Sequence, residues 1–240
     1  MLAEIHGKIS RQGRNLSDRL EDNLTGNVFG ALRYLPFSKG LGHILKQTLK
    51  SNAALLENLE DDWAPYIRFW PYHAEGEIDI LIHFPACIIG IEVKLFSGLS
   101  SVDESTDAEI SCNQLSREAR ILHSLAPEKE KLLIFLAPDS LCKNVDAPIL
   151  STVAFEKISW EDFLQATQTI QAENPYMTTL LTDITQLLIR KGFERFKTMK
   201  IATPIVHASD YFSFKNPSVH FRIQTTPIEK EYFYDFNKYL

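Results

Sequence analysis

The chain has 240 residues, of which 45% are apolar and 23% charged, and its formal net charge is −6. That composition excludes a disordered chain and suits one elaborated domain with a full hydrophobic core. The acidic balance argues against a surface that binds phosphate throughout, although a carboxylate site that takes up divalent cations adds negative charge of its own.

The N-terminal stretch, MLAEIHGKISRQGR, lacks the apolar segment of a signal peptide. It carries Lys8, Arg11 and Arg14, with Arg19 following, a basic run that reads equally as a solvated helix face or a phosphate-facing patch. Leu16, Leu20, Leu24, Val28, Leu32 and Leu35 recur at helical spacing, so a helix is predicted over 16–35, stopped by Pro36. A second helical stretch is predicted over 41–60. The period then changes: 66–72, 77–84 and 87–95 are short runs rich in Ile, Val and aromatics, which predicts three strands. Pro85 and Ala86 separate the last two, a connection short enough for a hairpin. Residues 97–108 are rich in Ser and Asp and read as a loop, followed by a helix from about 109 to 125. KLLIFLAP, 131–138, reads as a buried strand, and 150–160 should hold another. A helix begins at Trp160, and a long amphipathic helix is predicted over 178–196, with Leu180, Leu181, Ile184, Leu187, Leu188 and Phe193 facing the core. Basic residues gather again at Arg190, Lys191, Arg195, Lys197 and Lys200. From 200 to 240 there are nine Phe or Tyr residues, too many for a free tail, so this region either packs on the domain or offers a partner surface.

The order of elements predicts an α/β fold with a central mixed sheet flanked by helices. No segment approaches the ~18 apolar residues of a membrane span. Cys87, Cys112 and Cys142 form no CxxC or Cys/His cluster, which reads as reduced thiols. The expectation is a soluble cytoplasmic protein without membrane association.

Alternate side chains of a strand share a face. On the second strand Ile78, Ile80 and Ile82 point one way, while Asp79 and Leu81 point the other. On the third, Ile91, Val93 and Leu95 oppose Glu92 and Lys94. Hairpin pairing brings Asp79 beside Glu92, with Lys94 next to both. Burying such charges unpaired costs several kcal/mol each (about 3–5 when a buried pair is broken), so they need one another, a metal or water. The set suits phosphodiester hydrolysis. Asp79, Glu92 and the Val93 carbonyl supply oxygen ligands for Mg²⁺, with Mn²⁺ as a substitute. Such an ion lowers the pKa of its water and neutralises charge on the phosphate, and Lys94 orients or helps deprotonate the water and stabilises the transition state. The plain alternative is an exposed sheet face on which Lys94 is an ion-pair partner. No zinc-ligand spacing, P-loop, GxSxG or GxGxxG is present. His83 falls on the Asp79 face and reads as structural.

GEIDILI (76–82), IGIEVKL (89–95) and NQLSREARIL (113–122), preceded by the acidic helix EDNLTGNVFGALRYLP (21–36), resemble in their order the PD-(D/E)xK, or restriction-endonuclease-like, nuclease superfamily. The resemblance covers about residues 16–160 and implies an α-β-β-β-α-β core. It assigns Asp79 to the first motif acid and Glu92 with Lys94 to the (D/E)xK pair. Ile78 stands where the motif's name has proline. It also matches Glu21 to a helix-borne acid that touches the metal's water shell, with Asp22 as the alternative, and Gln114 to a polar residue facing the site from the next helix. The implied activity is Mg²⁺-dependent cleavage of DNA, in bacterial defence or repair. A reading of another class is a nuclease-like binding or effector subunit active only within a complex. The net charge and the aromatic C-terminal region motivate it, and that region is the expected surface for a protein partner, with a homodimer as the other expected assembly.

Overall fold

The computed structural model describes residues 16–195. Lys8, Arg11 and Arg14, Lys197 and Lys200, and the aromatic region 200–240 lie outside the described residues. Helix α1 spans Leu16–Leu32 and α2 Leu41–Thr48. Then come β1 (Ile67–Phe69), β2 (Tyr72–His73), β3 (Gly76–Glu77), β4 (Ile80–His83), β5 (Cys87–Val93), α3 (Gln114–Leu125), β6 (Glu130–Ala137), α4 (Asp139–Asn144), β7 (Ala154–Ser159), α5 (Trp160–Gln168) and α6 (Pro175–Arg190). Five strands form a mixed sheet in the order β1-β4-β5-β6-β7. β1, β4 and β5 run antiparallel, and β6 and β7 continue parallel to β5. The parallel step requires a crossover, which α3 provides.

Helices cover both faces of this sheet, as the element order implied. Every residue of β5 is buried, the pattern of a strand with helices on both sides. Its odd-numbered residues Ile89, Ile91 and Val93 join a large core built with α1, α2, α5 and α6. Ile88, with Leu133 and Phe135 of β6, faces Leu115, Ala119 and Leu122 of α3 in a second, smaller core. Helix and strand meet closely there, because a Cβ at Gly90 would come within 3.1 Å of Leu122.

Several predicted elements are shorter than their periodicity suggests. The second helix stops at Thr48 rather than near 60, because Glu156 of β7 accepts the Ser51 N–H at 3.0 Å and the Asn52 amide at 2.8 Å, a competing tertiary bond. The strand predicted over 66–72 breaks at Trp70, whose φ of +49 turns the chain out of β1. The strand over 77–84 is also split: Gly76–Glu77 pairs with Tyr72–His73 in a separate ribbon, and Asp79 occupies a bend before β4. Ile78 therefore packs in the smaller core with Leu81, not beside Ile80 and Ile82 in the larger one. Helix α3 begins at Gln114, later than predicted, because the Asn113 side chain caps it by accepting the Leu115 N–H at 3.0 Å.

Helix α6 ends at Arg190 rather than 196. Gly192, at φ +89, reverses the chain, and the Gly192 and Phe193 N–H groups bond the carbonyls of Ile189 and Leu188, the Schellman closure in which glycine avoids a Cβ clash. Phe193 still reaches the core, as do Leu181, Ile184 and Leu188, while Leu180 and Leu187 pack partly buried at its margin. Among the described residues no helix is long and apolar enough to cross a membrane. Cys87 and Cys142 are buried thiols, each pushed up to about 11 by desolvation, and Cys112 is exposed.

Candidate active site

β4 and β5 are registered with Ile80 opposite Ile91, so the next step outward sets Asp79 against Glu92. Asp79 Oδ2 accepts the Val93 N–H at 2.9 Å, and the Asp79 carbonyl accepts the Trp70 N–H at 2.9 Å. The bend is thus tied to β5 through the side chain and to the end of β1 through the main chain. A strand residue sends its N–H and C=O to the same edge. The Val93 carbonyl therefore lies on the Asp79 side of β5, whereas the Lys94 N–H bonds Leu136 of β6 on the other.

Glu92 and Lys94 are 2% and 7% exposed. Lys94 Nζ sits 2.6 Å from Glu92 Oε1 and 3.3 Å from Glu21 Oε1. Burial pulls the ammonium's pKa down, but the carboxylates of Glu92, Glu21 and Asp79 more than offset it and hold the group above the ordinary lysine range. In that setting Lys94 favours its charged form. Glu21, from α1, also accepts the Leu95 N–H at 2.7 Å and the Ser97 hydroxyl at 2.9 Å, so it fastens the chain just past β5. Asp22 lines the same cleft beside it. Gln114, the first residue of α3, donates from Nε2 to Glu92 Oε1 at 2.5 Å while its Oε1 accepts from Ser100 N and Oγ at 2.8 and 3.0 Å. Trp160 completes the frame from behind: its indole N–H donates to the Lys94 carbonyl at 3.0 Å, and its ring stacks on Phe193 at 5.4 Å.

All five side chains singled out in the sequence, Asp79, Glu92, Lys94, Glu21 and Gln114, open onto one cleft of about 610 Å³. His83 ends β4, away from Asp79, and lines a different pocket. Arg195 of the basic run 190–200 pairs with Asp162 at 2.8 Å, which favours the solvated-face reading for that residue. Compared with protein-family models, curated proteins and solved structures, the chain matches none of them.

Sequence reading missed one buried acid. Glu118 lies one helical turn after Gln114, is 2% exposed, and neither of its oxygens receives a well-formed hydrogen bond. Burial, then the Glu92 carboxylate beside it, raise its pKa well above the usual carboxylate range. Desolvation and Glu92 raise Asp79 in the same way, against the lowering effect of Lys94. The i to i+4 spacing from Gln114 is the signal that would have found Glu118. A carboxyl whose pKa rises on folding binds its proton more tightly when folded. Stability is then greatest in acid and falls as pH climbs from the ordinary carboxylate range towards the raised value. Glu118→Gln keeps a donor towards Glu92 and removes that loss. Thermal melts in a chelating buffer should show the variant more stable than wild type at pH 8, by about 1–3 kcal/mol, with the gain shrinking at pH 5. An equal gain at both values would contradict the assignment.

Among the described residues no three His, Cys, Asp or Glu side chains already stand as a ligand set for a metal ion. The oxygens that border the cleft are nonetheless of the kind Mg²⁺ takes: the Asp79 and Glu92 carboxylates and the Val93 carbonyl on the same strand edge. Asp79 uses Oδ2 for the Val93 amide, and its Oδ1 makes no hydrogen bond to the described residues.

Proposed function

We propose that this chain is a divalent-metal-dependent nuclease of the PD-(D/E)xK type that hydrolyses phosphodiester bonds of DNA, with defence or repair as the setting the resemblance implies. The observation that carries the proposal is the buried Lys94 ammonium bracketed by Glu92 and Glu21, with Asp79 across the hairpin, at the floor of an open cleft. An interior face needs no such charges for folding, and hydrophobic residues of similar size would serve stability at least as well. The chain order of helix, three sheet strands, helix and strand supports the same reading.

Asp79, Glu92 and the Val93 carbonyl would hold the cation. When bound, it supplies positive charge to the phosphate and lowers the pKa of nearby water. The chain's own groups do the rest. Lys94, kept protonated, donates to a phosphate oxygen as negative charge builds there, in a setting already organised before substrate arrives. Glu21 fixes Lys94 and the Leu95 amide, and Gln114, anchored by Ser100, fixes the Glu92 carboxylate. Water attacks phosphorus in line with the departing oxygen, its proton passing to solvent as the bond to that oxygen breaks, and these fixed groups supply the orientation that makes the attack effective.

Incubation of purified protein with plasmid, linear duplex and single-stranded DNA tests the proposal. Wild type with Mg²⁺ is expected to cut at least one of them, chelation to stop it, and Asp79→Asn to reduce it by at least about a hundredfold. Cleavage that persists in Asp79→Asn would contradict the assignment.

A further inference from the structure

We propose that Arg117 is the substrate-gripping residue of this cleft, binding a phosphate of the nucleic-acid strand next to the one cleaved. The inference rests on the nuclease reading and names how that site holds its substrate. Arg117 lies three residues after Gln114, on the same side of α3, and lines the same cleft. Acidic groups dominate that cleft: Glu21, Asp22, Glu77, Asp79 and Glu92 border it. A polyanion entering it needs a cation that is not already neutralised. Lys94 is held between two carboxylates, whereas Arg117 makes no ion pair with the described residues.

The guanidinium is nevertheless held in place. Its Nη1 donates to the Glu75 carbonyl and its Nη2 to the Ser101 hydroxyl at 3.1 Å, both neutral acceptors. The contrast with its neighbour on the helix is informative. Arg120 reaches the Glu75 carboxylate at 2.6 Å, so that acid is already paired with another cation and is not the partner of Arg117. The ribbon passes close beside it. Gly76 has φ +149, a conformation that favours glycine, and a Cβ there would lie 2.7 Å from Arg117 Nη1. A half-buried guanidinium oriented by a carbonyl and a hydroxyl, with N–H groups left over and no ion pair to the described residues, presents a planar donor fork that suits two oxygens of a phosphate.

The test is the affinity of short fluorescent DNA duplexes and single strands, read by anisotropy at 50–200 mM KCl with Ca²⁺ in place of Mg²⁺. Wild type is compared with Arg117→Gln, Arg117→Lys and Arg117→Ala. Arg117→Gln is expected to bind about tenfold more weakly, and the slope of log K against log salt should shrink by about 0.7–0.9, the loss of one phosphate contact. Arg117→Lys should keep the slope and lose part of the affinity, since it retains the charge but not the fork. Arg117→Ala alone could act by loosening the ribbon. An unchanged melting temperature in Arg117→Gln, together with the lost slope, excludes that. Equal affinity and slope in wild type and Arg117→Gln would overturn the assignment, and continued cleavage by wild type would leave the nuclease reading standing. A wild type that neither binds nor cuts any of these nucleic acids would overturn both.

Discussion

Replacing Lys94 with methionine is expected to abolish cleavage and to lower the free energy of unfolding by about 3–5 kcal/mol, the cost of leaving a buried charge without its partner. Methionine fills much of the same volume, so the loss comes from charge rather than a cavity. Glu92, 2% exposed, and Glu21 would both remain, two carboxylates facing one another without the ammonium between them. Because the pKa of Lys94 is raised on folding, its contribution is fully present at neutral pH and is lost only in alkali, above the ordinary lysine range. The double variant Glu92→Gln/Lys94→Met is expected to regain most of the stability and none of the activity. Urea unfolding of both variants and wild type separates the two effects. A single variant as stable as wild type would mean that Lys94 is a solvated surface residue.

The second large effect is expected at Trp160. Trp160→Ala opens a cavity in the main core and should cost about 3–5 kcal/mol. The sharper experiment is Trp160→Phe. Phenylalanine retains a ring against Phe163 and Phe193 but cannot donate to the Lys94 carbonyl. That main-chain segment then loses the bond that fixes it where β5 ends, and Lys94 loses its setting between Glu92 and Glu21. The expected result is a drop in kcat of about tenfold or more, from misplacement of the reacting groups, with KM little changed and a loss of stability of about 1–3 kcal/mol from the unsatisfied carbonyl. A folded Trp160→Phe protein with the kcat of wild type would assign Trp160 a packing role alone.

The grouping of the candidate site's side chains was more legible in the sequence than the frame that holds them. Strand alternation separates Glu92 and Lys94 from Ile91, Val93 and Leu95 because β5 is a regular strand covered on both faces, where the period of two holds along its length. The short Pro85–Ala86 connection likewise implied the β4–β5 hairpin, and with it the Asp79–Glu92 juxtaposition. Local pattern failed where a distant group decides. Nothing between residues 41 and 60 announces that Glu156 will take the Ser51 N–H and end the helix. The positive φ of Trp70 goes against the preference of a bulky residue and follows from tertiary packing around Asp79. Glu118 and Arg117 stand out only when α3 is laid against β5, where one is buried and the other lines the cleft. The Ser-rich loop read only as a connection, yet Ser97, Ser100 and Ser101 tie Glu21, Gln114 and Arg117 together over the cleft.

The most direct test of the central claim is calorimetric titration of Mn²⁺ into wild type and Glu92→Gln, with DNA cleavage measured on the same preparations. The account predicts that wild type binds the ion and cuts, and that the variant, still folded, loses both together. A wild type that binds no divalent ion, or a Glu92→Gln protein that cuts as well as wild type, would contradict it.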